Sequence, residues 1–260
     1  NAVRTLFDSF WPMDPAMYHG GQKFIDLFLV VIQFGSILAV LVLYRHRLNP
    51  FSRRKTPQQK KSTWSLWLKV IIGTIPAGIV GVLLDDFLHE HLYNAVVVAI
   101  ALIIYGILFI VIENHHRKLR FRTSDAIDNR TSLKIGLFQC LSLIPGTSRS
   151  GSTILGASLL GCARPAAAEF SFFLAIPTML GASVWEIRKY LKNYHAGFSG
   201  LELSVLLIGM MVAFFVSIFA IRGLMQFVKK HNFKPFGWYR IALGAIIILF
   251  SLTHVLKVTP

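Results

Sequence analysis

LKIGLFQCLSLIPGTSRSGSTILGASLLG, residues 133–161, is apolar at both ends, yet PGTSRSGST at 145–153 sets an arginine among a cluster of hydroxyls. The first arm, 133–144, has 12 residues and would be about 18 Å long as a helix. A bilayer core is about 30 Å thick, and the second arm is shorter still. Neither arm can cross alone, and a Pro-Gly pair separates them. The stretch therefore predicts a re-entrant hairpin over about 133–161, which enters the membrane and returns on the same side.

The rest of the chain supplies the membrane context. Its 260 residues are 54% hydrophobic, with a mean hydropathy of +0.58, and 15% are charged. About a quarter would be charged in a soluble domain. Six segments are long and apolar enough to span, near 24–44, 66–84, 93–112, 166–187, 202–222 and 238–256. Small residues recur inside them, as in GTIPAGIVG at 73–81, and let membrane helices approach closely. The predicted fold class is an all-α integral membrane protein forming one membrane domain, 1–260.

A formal net charge of +15 raises the question of nucleic acid, so its distribution decides. Residues 45–69 hold eight Lys or Arg, 113–134 hold six and 222–240 hold five, while 85–92 hold none. Segregation into alternate loops is the pattern of cytoplasmic loops and argues against a nucleic-acid partner. With the basic loops inside, the hairpin enters from the cytoplasm and its tip points inward or toward the outer leaflet. Cys140 and Cys162 are too few for a metal site or a disulfide framework and read as packing residues. The opening NAVRTLFDSFWPMDP lacks the basic-then-apolar layout of a signal peptide.

The order of segments suggests a repeat. Residues 133–257 run hairpin, span, span, span, and residues 24–113 run span, span, span. Three crossings per half give the halves opposite topology, the inverted-repeat plan of many transport folds. A matching first hairpin is then expected ahead of Phe24, where the residues are mostly polar or irregular, so it reads as missing.

At the tip, Pro145 removes a donor and Gly146 permits unusual backbone geometry. Ser148, Ser150, Ser152 or Thr153 can cap the helix that follows. Irregular backbone at membrane depth must line something polar. A helix N-terminus with hydroxyls and one arginine, Arg149, describes an anion site, and phosphate is the obvious anion. Gln33 and Ser36 share one helical face and either reach that site or bond a neighbouring helix; Gln139 is balanced in the same way. Glu169 reads as a carboxylate offsetting a helix dipole. His89, Glu90 and His91 do not have the spacing of a zinc helix.

These residues carry a resemblance. FQCLSLIPGTSRSGSTILGASLLG with AAAEFSFFLAIPTMLGA, FLVVIQFGSILAVLVLY and FKPFGWYRIALGAIII resemble the undecaprenyl-pyrophosphate phosphatase family, also called bacitracin-resistance proteins. The resemblance implies an enzyme of the bacterial plasma membrane that removes the terminal phosphate of undecaprenyl pyrophosphate, recycling the lipid carrier for cell-wall synthesis. It implies a divalent cation (Mg or Ca), a site open to the outer face, and pyrophosphate binding by Ser148, Arg149 and Ser150. The candidate catalytic residues are Arg149 and Ser148. Gly146, Ser148, Arg149, Ser150, Thr153, Gln33 and Ser36 are the candidate pyrophosphate ligands. Membrane lipid and a second copy of the chain are the further expected partners.

The family also carries an acidic motif running into Ser-Ser-Thr-Gly-His on its first hairpin, which supplies a catalytic glutamate. Here Asp8, Asp14 and His19 stand in different surroundings, so the chain reads as a member without that motif, its active site incomplete. The attacking group is then either a water activated by a carboxylate or a hydroxyl such as Ser148 or Ser150. The rival reading is a transporter (flippase) of a polyprenyl phosphate, because an inverted repeat with a mid-membrane anion site suits that task equally.

Overall fold

The computed structural model describes residues 22–92, 94–115, 118–193 and 198–252. The hairpin and acidic motif expected ahead of Phe24 fall on residues outside that set, as do the side chains of His89, Glu90 and His91. The described chain is helical, with one isolated bridge between Phe121 and Cys162. Its helices are α1 (Gln22–Leu43), α2 (Arg45–Leu48), α3 (Pro57–Leu92), α4 (Ala95–Asn114), α5 (Asn129–Cys140), α6 (Arg149–Leu159), α7 (Arg164–Asn193), α8 (Gly200–Lys230) and α9 (Lys234–Leu252).

Among the described residues, four helices are long and apolar enough to cross a membrane: Pro57–Leu84 of α3, α4, Arg164–Lys192 of α7, and α8. Leu27–Leu43 of α1 is a shorter apolar run. The most apolar window of α8 has a mean hydropathy of 2.6 and is only 11% buried. Water would not tolerate so much exposed hydrocarbon, whereas lipid covers it.

Most of the helices start ahead of the limits that hydropathy predicts, α3 by the most, and in α3 and α8 a polar cap sets the end. In α3 the Thr56 amide donates to Gln59 Oε1 (3.0 Å) and the Gln59 amide to Thr56 Oγ1 (3.3 Å). That reciprocal box, with Pro57 in the first turn, carries the helix through QQKKST before the apolar run begins. In α8 the Ser199 amide donates to Glu202 Oε2 (2.9 Å) and the Glu202 amide to Ser199 Oγ (3.1 Å).

The chain divides into two compact units, both discontinuous in sequence. One holds residues 1–48 and 175–223. Its core is Phe24, Leu27, Val31, Tyr190 and Leu206, with Tyr190 stacked on Phe198 at 5.2 Å. The other holds residues 49–174 and 224–260 and contains the hairpin. In it α4 packs against α9 through glycines: a Cβ on Gly106 would lie 2.7 Å from the Gly237 carbonyl oxygen. α5 packs against α3, where the Ser132 hydroxyl donates to the Lys69 carbonyl. Such small-residue contacts bring backbones together without a hydrophobic drive.

Candidate active site

The hairpin forms as a helix, a turn and a helix. Asp128 caps its first arm by accepting from the Thr131 amide (2.7 Å). α5 then ends at Cys140, short of the expected 144, and a 3₁₀ turn at Leu141–Leu143 completes the arm. Pro145 explains the early stop. The residue before a proline is pushed out of the helical region, and Ile144 has φ −74° and ψ 122°. Gly146 follows at φ 91°, and a Cβ there would stand 2.8 Å from the Val98 Cα. Both the left-handed backbone and the close approach require glycine.

Thr147 fastens the turn to the first arm. Its hydroxyl lies 2.9 Å from the Leu141 carbonyl and 2.8 Å from that of Ile144. Ser148 has φ 63°, the sole positive φ outside glycine among the described residues. A non-glycine residue there costs on the order of 1–3 kcal/mol and marks functional sites. Ser148 Oγ accepts from the Gly151 amide (3.4 Å) and so caps α6, and it lies 3.3 Å from Ser150 Oγ. Because the cap uses Ser148 as an acceptor, its proton stays available to donate.

Ser148, Ser150 and Gly151 open on a cavity of about 200 Å³. Arg240 shares the polar end, and the remaining wall is apolar: Phe109, Ile154, Leu224, Phe233, Phe236 and Tyr239. Arg149, the first residue of α6, does not line this cavity; its Nε and Nη1 are buried and have no hydrogen-bond partner. Among the described residues neither Arg149 nor Arg240 is paired with a carboxylate. A buried arginine with no carboxylate partner, at the positive end of a helix, favours an anion.

Thr153 is buried behind the tip, bonded to Ser171 Oγ (2.6 Å) and turned back toward the carbonyls of Arg149 and Ser150. Gln33 and Ser36 belong to the other unit: Gln33 is exposed, and Ser36 accepts from the Ser217 hydroxyl (2.8 Å). Gln139 is fully buried in the first arm. Glu169 is buried and accepts from the Ser124 hydroxyl (2.8 Å), an anchoring contact.

Sequence reasoning passed over Arg240 and Tyr105, although a signal was present for Arg240. Arg240 is a charge that opens the apolar run IALGAIIILF, and an intramembrane charge is a functional candidate by default. Among the described residues no three His, Cys, Asp or Glu gather into a metal site. Among the described residues the cavity is lined by hydroxyls and a guanidinium and no carboxylate. These donors do not fit a divalent cation, which calls for carboxylate oxygens.

The model of the family described as bacitracin resistance protein BacA matches residues 4–246. An undecaprenyl-diphosphatase of Lactiplantibacillus plantarum is 53% identical over 254 residues, covering 96% of this chain and 90% of that protein. Another, of Lacticaseibacillus paracasei, is 54% identical over 88% of this chain and 84% of its own length. Undecaprenyl-diphosphatase 1 of Clostridioides difficile is 54% identical over 88% of this chain and 82% of its own. A helical membrane chain with this tip, matched over nearly its whole length, belongs to the bacitracin resistance protein BacA family.

Proposed function

We propose that the hairpin tip is where this chain holds the pyrophosphate of undecaprenyl pyrophosphate. The activity is that of an undecaprenyl-diphosphatase: hydrolysis of the phosphoanhydride to undecaprenyl phosphate and phosphate, which recycles the lipid carrier. One observation carries the assignment to the tip. The helix N-terminus that brings Ser148 and Ser150 to the cavity begins with Arg149, a buried arginine that no carboxylate pairs with among the described residues. Phosphoryl transfer needs charge stabilisation and positioning above all. In our reading Arg149 offsets charge on the departing phosphoryl group, Ser148 and Ser150 donate to its oxygens, and the apolar wall accommodates the start of the prenyl chain.

The wider arrangement belongs to the same proposal. Six spans form an inverted repeat, the basic loops are cytoplasmic, and the tip opens toward the outer face of a bacterial plasma membrane. A second copy of the chain is the proposed protein partner. The divalent cation is proposed to arrive with the pyrophosphate, whose oxygens are the ligands such ions accept; the described residues do not supply a site for it.

The test is phosphate release from undecaprenyl pyrophosphate by the purified chain. Release with a prenyl pyrophosphate and much slower release from inorganic pyrophosphate would support a lipid-directed site. Transbilayer movement of a polyprenyl phosphate without hydrolysis would favour the transporter instead.

A further inference from the structure

Arg240 makes contacts that pyrophosphate binding does not explain. Its Nη2 donates to the carbonyl oxygens of Gly146 (2.6 Å) and Thr147 (2.7 Å), two successive residues of the tip. Its guanidinium carbon stands 5.5 Å from the centre of the Tyr105 ring, and the Tyr105 hydroxyl accepts from Ser152 (3.1 Å). A Cβ on residue 151 would lie 2.9 Å from Arg240 Nη1, so Gly151 leaves the guanidinium room against the first turn of α6. α4, α9 and α6 thus converge on one buried side chain.

We propose that Arg240 is a positioning residue for the reaction, clamping the Gly146 and Thr147 carbonyls so that the tip presents donors rather than acceptors to the pyrophosphate. The inference rests on the phosphatase reading above. Carbonyl oxygens are partly negative; turned toward a pyrophosphate they would repel it, and at membrane depth they need a donor. One guanidinium satisfies both. In a trans peptide the C=O and the next N–H point in opposite directions, so clamping the Thr147 carbonyl aims the Ser148 N–H away from Arg240. The same bond holds the peptide plane that enters Ser148, whose φ of 63° persists only where its surroundings fix it.

The test separates kcat from KM for phosphate release from undecaprenyl pyrophosphate by the full chain, with the unfolding midpoint of each variant recorded. For Arg240→Gln we expect kcat to fall by about 10²-fold, the loss that a misplaced group about 1 Å out of register produces, with KM changed less than about threefold. Arg240→Lys should recover part of that loss, since an ammonium can still donate to carbonyls. Gly151→Ala removes no charge and should lower kcat through the same displacement; it serves as the probe if Arg240→Gln does not fold. A rise in KM with kcat intact would make Arg240 a direct substrate ligand and overturn the proposal. So would unchanged kcat and KM in folded Arg240→Gln, or in folded Gly151→Ala if that is the probe. A wild-type chain that releases no phosphate would instead contradict the phosphatase reading, taking this inference with it.

Discussion

Arg149 and Arg164 flank the same short helix and live in opposite surroundings. Arg164 is 44% exposed at its side chain, and its guanidinium forks onto the carboxylate of Glu113, which is 2% exposed and also accepts from the Phe233 amide (3.3 Å). That is an arginine employed to join helix ends: a planar fork, a matching carboxylate and a second donor on the acid. Arg149, the first residue of that helix, has a buried Nε and Nη1, neither with a hydrogen-bond partner among the described residues. A buried polar group without a partner is costly. Its retention at the tip is understandable if its partner is the substrate. On the proposed reading the two arginines separate what the fold needs from what the chemistry needs.

The largest effect expected from this contrast is on turnover. Arg149→Ala should lower kcat/KM for phosphate release by about 10²–10³-fold, the usual cost of removing a preorganised charge donor. Its unfolding midpoint in detergent should hold steady or rise, because an unsatisfied buried group is gone. A variant that unfolds while its folded fraction keeps full activity would erase the distinction.

Arg164→Ala should behave the other way round. It leaves the Glu113 carboxylate buried without its fork, so the stability loss should be about 1–3 kcal/mol, read as a lower midpoint. Turnover of the folded fraction should stay within about twofold of wild type. A large loss of kcat would place Arg164 in the chemistry and weaken the comparison.

Ser148 sharpens the same question within one residue. Glycine costs only a few tenths of a kcal/mol as a cap and relieves the strain of φ 63°. Ser148→Gly should therefore be at least as stable as wild type yet turn over more slowly. Ser148→Ala keeps the strain and loses the cap, so it should be less stable than the glycine variant. Equal activity of Ser148→Gly and wild type would remove the hydroxyl from the reaction.

The smallest effect concerns the entry to the hairpin. The Asp128 carboxyl is held below the usual carboxylate range, first by the Thr131 backbone amide that it accepts. Its cap stabilises fully above the ordinary carboxylate pKa and fades as pH falls through the lower folded-state value. The wild type should exceed Asp128→Ala by a few tenths to about 1 kcal/mol near neutral pH, since the group is exposed and screened. That difference should close in acid, as midpoints measured across pH would record.

How much was legible follows the same division. The hairpin was readable because its arms are too short to span and Pro145-Gly146 sits between them. The hydroxyl cluster announced a cap, though only the backbone shows that Ser148 provides it while Ser152 turns to Tyr105 and Thr153 to Ser171. Apolar length alone left the polar first turns of two helices out of the predicted spans. TPQQ at 56–59 and SGLE at 199–202 are capping boxes written in polar letters. Arg240 could be singled out as a charge opening an apolar run, but not its partners, since the carbonyls it bonds lie in a segment far back along the chain. Nor could the Arg164–Glu113 fork, which joins two helices across an intervening hairpin.

The most direct test of the central claim asks the tip for an anion without asking for catalysis. Added inorganic pyrophosphate stabilises a protein that binds it in the folded state, raising its unfolding midpoint with the logarithm of its concentration once that exceeds Kd. The wild type and Arg164→Ala should both show that rise, each from its own starting midpoint, and Arg149→Ala should not. A rise of the same size in Arg149→Ala would contradict the account, because the pyrophosphate would then be held by something other than the arginine at the hairpin tip.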